Sequence, residues 1–138
     1  MSPLFFCHRI NKISDLNYVD KKHGIELDLR DKNDDIILCH DPFEDGEKFE
    51  DFLKVYDKSY IILNIKSERI EFRVIDLLKK YDIKNYFFLD CSFPMIYNLN
   101  KANEKNIAIR FSEYESIETV LNVKDMVKWV WVDCFNKF

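Results

Sequence analysis

Apolar residues recur along this chain with two periods, and the alternation between them predicts strands and helices by turns. Leu4 to Ile10 is an apolar run interrupted by His8 and Arg9, read as a first strand. A polar connection from Asn11 to His23 holds a short helix marked by Ile13, Leu16 and Val19. Gly24 to Asp41 reads as strand, turn, short strand. Ile25, Leu27 and Leu29 share one face of its first strand, Glu26 and Asp28 the other, because side chains alternate along a strand. The turn DKNDD then returns the chain through Ile36 and Leu38 to Cys39, His40 and Asp41.

The remainder keeps to the same rhythm. Phe49, Phe52, Leu53 and Tyr56 have helical spacing, and Ser59 to Lys66 is a β-branched, nearly all-apolar strand. Glu68 to Tyr81 is the strongest helix pattern. Strands are expected over Asn85 to Cys91, Asn106 to Phe111 and Trp129 to Phe135. Between them lie a helix with Ser92 as N-cap and Pro94 in its first turn, and another opened by Ser112 and Glu115 at capping-box spacing. Trp129 and Trp131 alternate onto one face and are expected to fill core.

Strands that alternate with helices imply βαβ units and a parallel α/β sheet. Polar groups at the strand ends distinguish a barrel from a doubly wound sheet: His8, Glu26 and Asp28, Asn64 and Lys66, Asp90, Arg110 and Asp133. A polar rim drawn from many strands is what the active-site end of a TIM-type (β/α) barrel requires. With only two glycines, the chain holds no Gly-rich phosphate loop. The expectation is one domain, residues 1–138, built as such a barrel. It is incomplete: six units are counted where a full barrel has eight and about 250 residues. That leaves a fragment, a reduced fold, or open sheet edges covered by a second copy or a partner chain.

A net charge of −4 and a pI near 5.4 argue against a nucleic-acid surface. No apolar run is long enough to span a membrane and the first residues do not resemble a signal peptide, so a cytoplasmic location is expected. The four cysteines form no CxxC pair and are read as small buried apolar residues. Two acids on one face of a buried strand need a neutralising partner, and a divalent cation with oxygen ligands is the economical one. An exposed strand with solvated carboxylates is the alternative.

In order along the chain, HRI, GIELDL, HDP and LNIK resemble the glycerophosphodiester phosphodiesterase-like family of the phospholipase-C-like phosphodiesterase superfamily. FFLDCSFP, IRFSEYE and WVWVDCF look like the later strands of an uncharacterised bacterial branch of it. The resemblance implies that His8 and His40 are the general acid and base at a small glycerol- or sugar-linked phosphodiester. It implies that Glu26 and Asp28 hold magnesium or calcium, with Asn64 standing where the family has a third acid. Arg9 and Lys66 would neutralise phosphate charge. Arg110 joins them as a substrate-binding candidate, beside a structural reading in which Asp90, Arg110 and Asp133 pair across the rim. Two further functions stay open: a non-catalytic phosphate-binding module, and a barrel fragment completed by a partner.

Overall fold

A computed structural model describes residues 2–136 as a mixed α/β protein with mostly parallel strands in sheets that do not close. The chain divides into two compact units, one ending at Tyr86 and the other starting at Phe87.

The first unit is built around β2 (Gly24–Lys32), nine residues long. β1 (Phe6–Cys7) and β4 (Ile61–Ile65) run parallel to it on opposite edges, since Ile25 pairs with Cys7 on one side and Ile61 on the other. β3 (Asp35–Leu38) turns back antiparallel, pairing with Leu29 to Lys32. Leu29 already pairs with Ile65, so β3 takes the same edge as β1, further along. Asn33 and Asp34 make the turn, and Asn33 adopts φ 54°, a conformation asparagine tolerates better than most residues. The expected strand–turn–strand is present, with a tighter turn than DKNDD suggested, because β2 continues to Lys32.

Ile25, Leu27, Leu29, Ile61 and Leu63 are wholly buried, the expected apolar face of β2 and its continuation on β4. α1 (Phe49–Val55) is too short to persist alone in water, and burial of Phe49, Phe52 and Leu53 holds it, with contacts to β3. Gly46 precedes it because any Cβ there would overlap the Leu38 carbonyl at the end of β3. α2 (Glu71–Lys80) buries Val74, Ile75 and Leu78. β1 is much shorter than the expected run from Leu4 to Ile10. Arg9 takes φ 56°, which breaks the extended chain directly after His8.

The second unit carries the rest of β5 (Tyr86–Leu89), then α3 (Phe93–Lys101), β6 (Ala108–Phe111), α4 (Ile117–Val123) and β7 (Trp129–Val132). β6 and β7 pair in parallel from Ala108–Trp129 to Phe111–Val132, and Phe88 bridges to Ile107. Ser92 caps α3 as expected, accepting from the Met95 amide at 3.4 Å. The box at Ser112 and Glu115 is different. Their side chains do bond, but Ser112 closes a turn onto the Tyr114 amide and Ser116 is the cap of α4. The tryptophans of β7 do not fill core: Trp129 is 38% exposed, stacked on Phe87 at 4.8 Å, and Trp131 donates to Asp133. All four cysteines are free thiols, and only Cys39 is buried. Among the described residues no helix is long and apolar enough to cross a membrane.

Candidate functional site

The shared edge of β2 explains why the segments that carry two histidines distant in sequence converge. β1 runs with β2 and β3 against it, so their carboxyl ends approach each other along that edge. They close on its middle: the Ile10 amide donates to the Glu26 carbonyl at 2.9 Å and the Cys39 amide to the Asp28 carbonyl at 3.0 Å. His8, Arg9 and His40 are therefore delivered beside the two acids, and Arg9 Nη2 lies 3.4 Å from His40 Nε2.

Glu26 and Asp28 are buried, at 4% and 0% exposure, which excludes the reading of a solvated strand. Each is oriented by several bonds. Glu26 Oε2 accepts from the Arg9 amide at 2.8 Å, and Oε1 from Asn64 Nδ2 at 3.0 Å. Arg9 makes that amide bond from a left-handed backbone, a conformation that costs about 1–3 kcal/mol. Asp28 is gripped twice by Asn11, whose Nδ2 donates to Oδ2 and whose Oδ1 accepts from the Asp28 amide, both at 2.8 Å. His8 Nδ1 lies 3.9 Å from Glu26 Oε2, and Lys66 Nζ 3.6 Å from Asp28 Oδ1.

Two oxygens are left over. Asp28 Oδ1 and Asn64 Oδ1 are buried and accept no hydrogen bond among the described residues. Asp28 and Asn64 are direct partners across β2 and β4, so these oxygens belong to neighbouring positions on one face. Lys66 Nζ offsets the Asp28 charge from 3.6 Å without a hydrogen bond, so both oxygens keep open lone pairs, and a hard cation is a ligand that oxygen sets of this kind satisfy. Glu26, Asp28 and the Asn64 amide would supply it. Among the described residues no three His, Cys, Asp or Glu side chains converge on one point, so the set has two carboxylates and an amide.

His40 has a defined polarity. Its Nδ1 stands 2.9 Å from Asp41 Oδ1, and that bond holds the Asp41 carboxyl below the ordinary carboxylate range. With Nδ1–H donating to Asp41, Nε2 is the acceptor turned toward Arg9; this tautomer follows from the hydrogen-bond network. A cleft of about 420 Å³ opens beside His40, lined in part by Asn11, Lys12, Glu44 and Glu47.

No family model, curated protein or solved structure matches the chain. The chemistry of the site rests on its own residues.

His8, Arg9, Glu26, Asp28, His40, Asn64 and Lys66 all lie in the first unit and are linked by the contacts above. Arg110 lies in the second unit, where Nη2 bonds Asp90 at 2.5 Å and Nη1 bonds Asp133. The expected pairing of these three residues is present. Two site residues escaped the sequence reading. Asn11, in a polar loop, carried no signal. Arg30 did, because it continues the Glu26–Asp28 alternation by one more step. Its Nε and Nη2 donate to the His40 carbonyl at 3.2 and 2.8 Å, and its Nη1 to the Lys66 carbonyl at 3.1 Å.

Proposed function

We propose that this chain is a metal-dependent phosphodiester hydrolase of the glycerophosphodiester phosphodiesterase-like kind, acting on a glycerol- or sugar-linked phosphodiester. Its open, mostly parallel sheet is then part of a TIM-type (β/α) barrel, and its free edges are places for a second copy or a partner chain. The observation that carries this reading is the pair of buried oxygens, Asp28 Oδ1 and Asn64 Oδ1, that accept no hydrogen bond among the described residues, on a strand flanked by the segments carrying two histidines.

Glu26, Asp28 and Asn64 Oδ1 would hold magnesium or calcium, which when bound offsets charge on the phosphoryl oxygens. Asn11 keeps Asp28 in place for that task. His40 Nε2, the acceptor of its tautomer, exchanges its long 3.4 Å contact with Arg9 for a substrate hydroxyl next to the phosphate and takes its proton. That oxygen bonds to phosphorus as the bond to the departing alcohol breaks, and His8 gives the alkoxide its proton. Water opens the resulting cyclic phosphate with the two roles exchanged. Arg9 and Lys66 balance the charge of the phosphate throughout. Asn64, in place of an acid, favours a second reading, a phosphate-binding module with weakened chemistry.

The test is calorimetric titration of the metal-stripped chain with magnesium and then calcium. Saturable binding that Glu26→Gln abolishes is expected, with metal-dependent cleavage of glycerophosphodiesters that His8→Ala or His40→Ala lowers by about 10²–10⁴. Absence of binding at millimolar metal refutes the reading. Metal and phosphate binding without turnover favours the module.

A further inference from the structure

Arg30 has no part in the roles above, yet it is tied to two residues that do. It stands at the carboxyl half of β2, on the face of Glu26 and Asp28, and is only partly exposed. None of its side-chain bonds described above goes to a carboxylate. One fork of the guanidinium, Nε and Nη2, closes on the His40 carbonyl, and the remaining arm, Nη1, on that of Lys66. Those residues follow strands on opposite edges of β2: His40 after β3 and Lys66 after β4. A single planar group therefore spans the central strand and ties both flanking loops together at a fixed separation.

We infer that Arg30 is a positioning residue of this site, setting the distance between the His40 imidazole and the Lys66 ammonium so that one phosphate can engage both. The inference rests on the phosphodiesterase reading. Lysine cannot replace arginine here, because an ammonium has no planar fork with which to bind two carbonyls on separate loops. Glu26 is held by Arg9 and Asn64, and Asp28 by Asn11, through hydrogen bonds that do not involve Arg30; Arg30 reaches Asp28 only indirectly, through Lys66. The geometry thus separates two properties: the bonds that orient the cation ligands do not involve Arg30, while phosphate engagement and turnover depend on it.

Arg30→Lys and Arg30→Gln are compared with the wild type in three measurements: calcium calorimetry, glycerophosphodiester kinetics, and titration with inorganic phosphate followed by NMR at the His40 ring and the Lys66 amide. In the wild type both signals should move along one saturation curve. In the variants calcium affinity should stay within about twofold. The response to phosphate should split or vanish at one of the two residues, and kcat should fall about 10–100-fold, the scale of a misplacement near 1 Å, with KM rising where phosphate contact is lost. Variants that keep the joint phosphate response and the wild-type kcat overturn the inference. So does failure of both to fold, which would make Arg30 part of the fold itself. A wild type that binds phosphate at both residues without turnover removes the hydrolase reading and leaves the phosphate titration to decide on Arg30. A wild type that does neither overturns both.

Discussion

Replacing Asn64 with aspartate tests whether position 64 belongs to a cation-ready cluster. Asn64 is 9% exposed, and its Nδ2 lies 3.0 Å from Glu26 Oε1. A carboxylate there would face another at that separation, a repulsion of about 5–6 kcal/mol at an effective dielectric constant near 20. Holding a proton is cheaper. Keeping an acid of ordinary pKa about 3.9 protonated at about pH 7 costs about 4 kcal/mol, and the new hydroxyl restores a donor to Glu26. The folded-state pKa is thus raised above the unfolded one, so stability matches the wild type below about pH 4 and is lost as pH rises, by about 1.4 kcal/mol per unit. Urea denaturation of Asn64→Asp with a chelator present should show a deficit about 2.7 kcal/mol larger at about pH 7 than at about pH 5. Millimolar calcium should then stabilise the variant more than the wild type, since a third carboxylate is available to it. A deficit independent of pH, or one calcium leaves untouched, refutes the reasoning.

Asn11→Ala removes both bonds that orient Asp28 and should lower calcium affinity about 10–100-fold by calorimetry; unchanged affinity would detach Asn11 from the site. The Tyr56 hydroxyl is buried without a hydrogen-bond partner among the described residues, and burial, aided by the charge of Asp57, pushes its pKa well above the usual phenol value. Tyr56→Phe should therefore be neutral or stabilising by about 1 kcal/mol in urea denaturation, and a comparable loss would show that the hydroxyl is satisfied. Glu50 is held below the ordinary carboxylate range by Lys80 and then Tyr81, 2.6 and 3.0 Å away. Its contribution is complete above the unfolded value near about 4.3 and is lost as pH falls through the lower folded one. Glu50→Gln should flatten the acid side of a Tm–pH profile in that window; an unaltered slope would deny Glu50 that role.

The elements were legible where burial and period agree. The bare face of β2, the helix at Phe49 and the Ser92–Pro94 start of α3 follow from patterns that tertiary packing reinforces. The Ser112–Glu115 box misled because its bond closes a turn that stops one residue short of the helix cap. The tryptophans of β7 misled because alternation places side chains on a face without saying whether anything covers it. In the site, Glu26 and Asp28 were legible as a spacing, and their burial was not. Asn11 contributes through two side-chain hydrogen bonds to Asp28 and Arg9 through its amide and left-handed φ, and neither contribution leaves a mark in composition or periodicity.

The two-residue turn at Asn33 and Asp34 acts as a ruler for His40. Between it and His40 lie only β3, in fixed register with β2, and Cys39, whose amide is bonded to the Asp28 carbonyl. Sliding that register by two residues would carry His40 about 7 Å along the edge, away from Arg9 and the acids. A slip of one residue would turn β3 over and bring its other face to the core. An insertion at this turn that moves the register by two residues, remote from every group that could touch a substrate, therefore carries His40 away from Arg9 while leaving the β2–β4 pairing of the buried carboxylates in place.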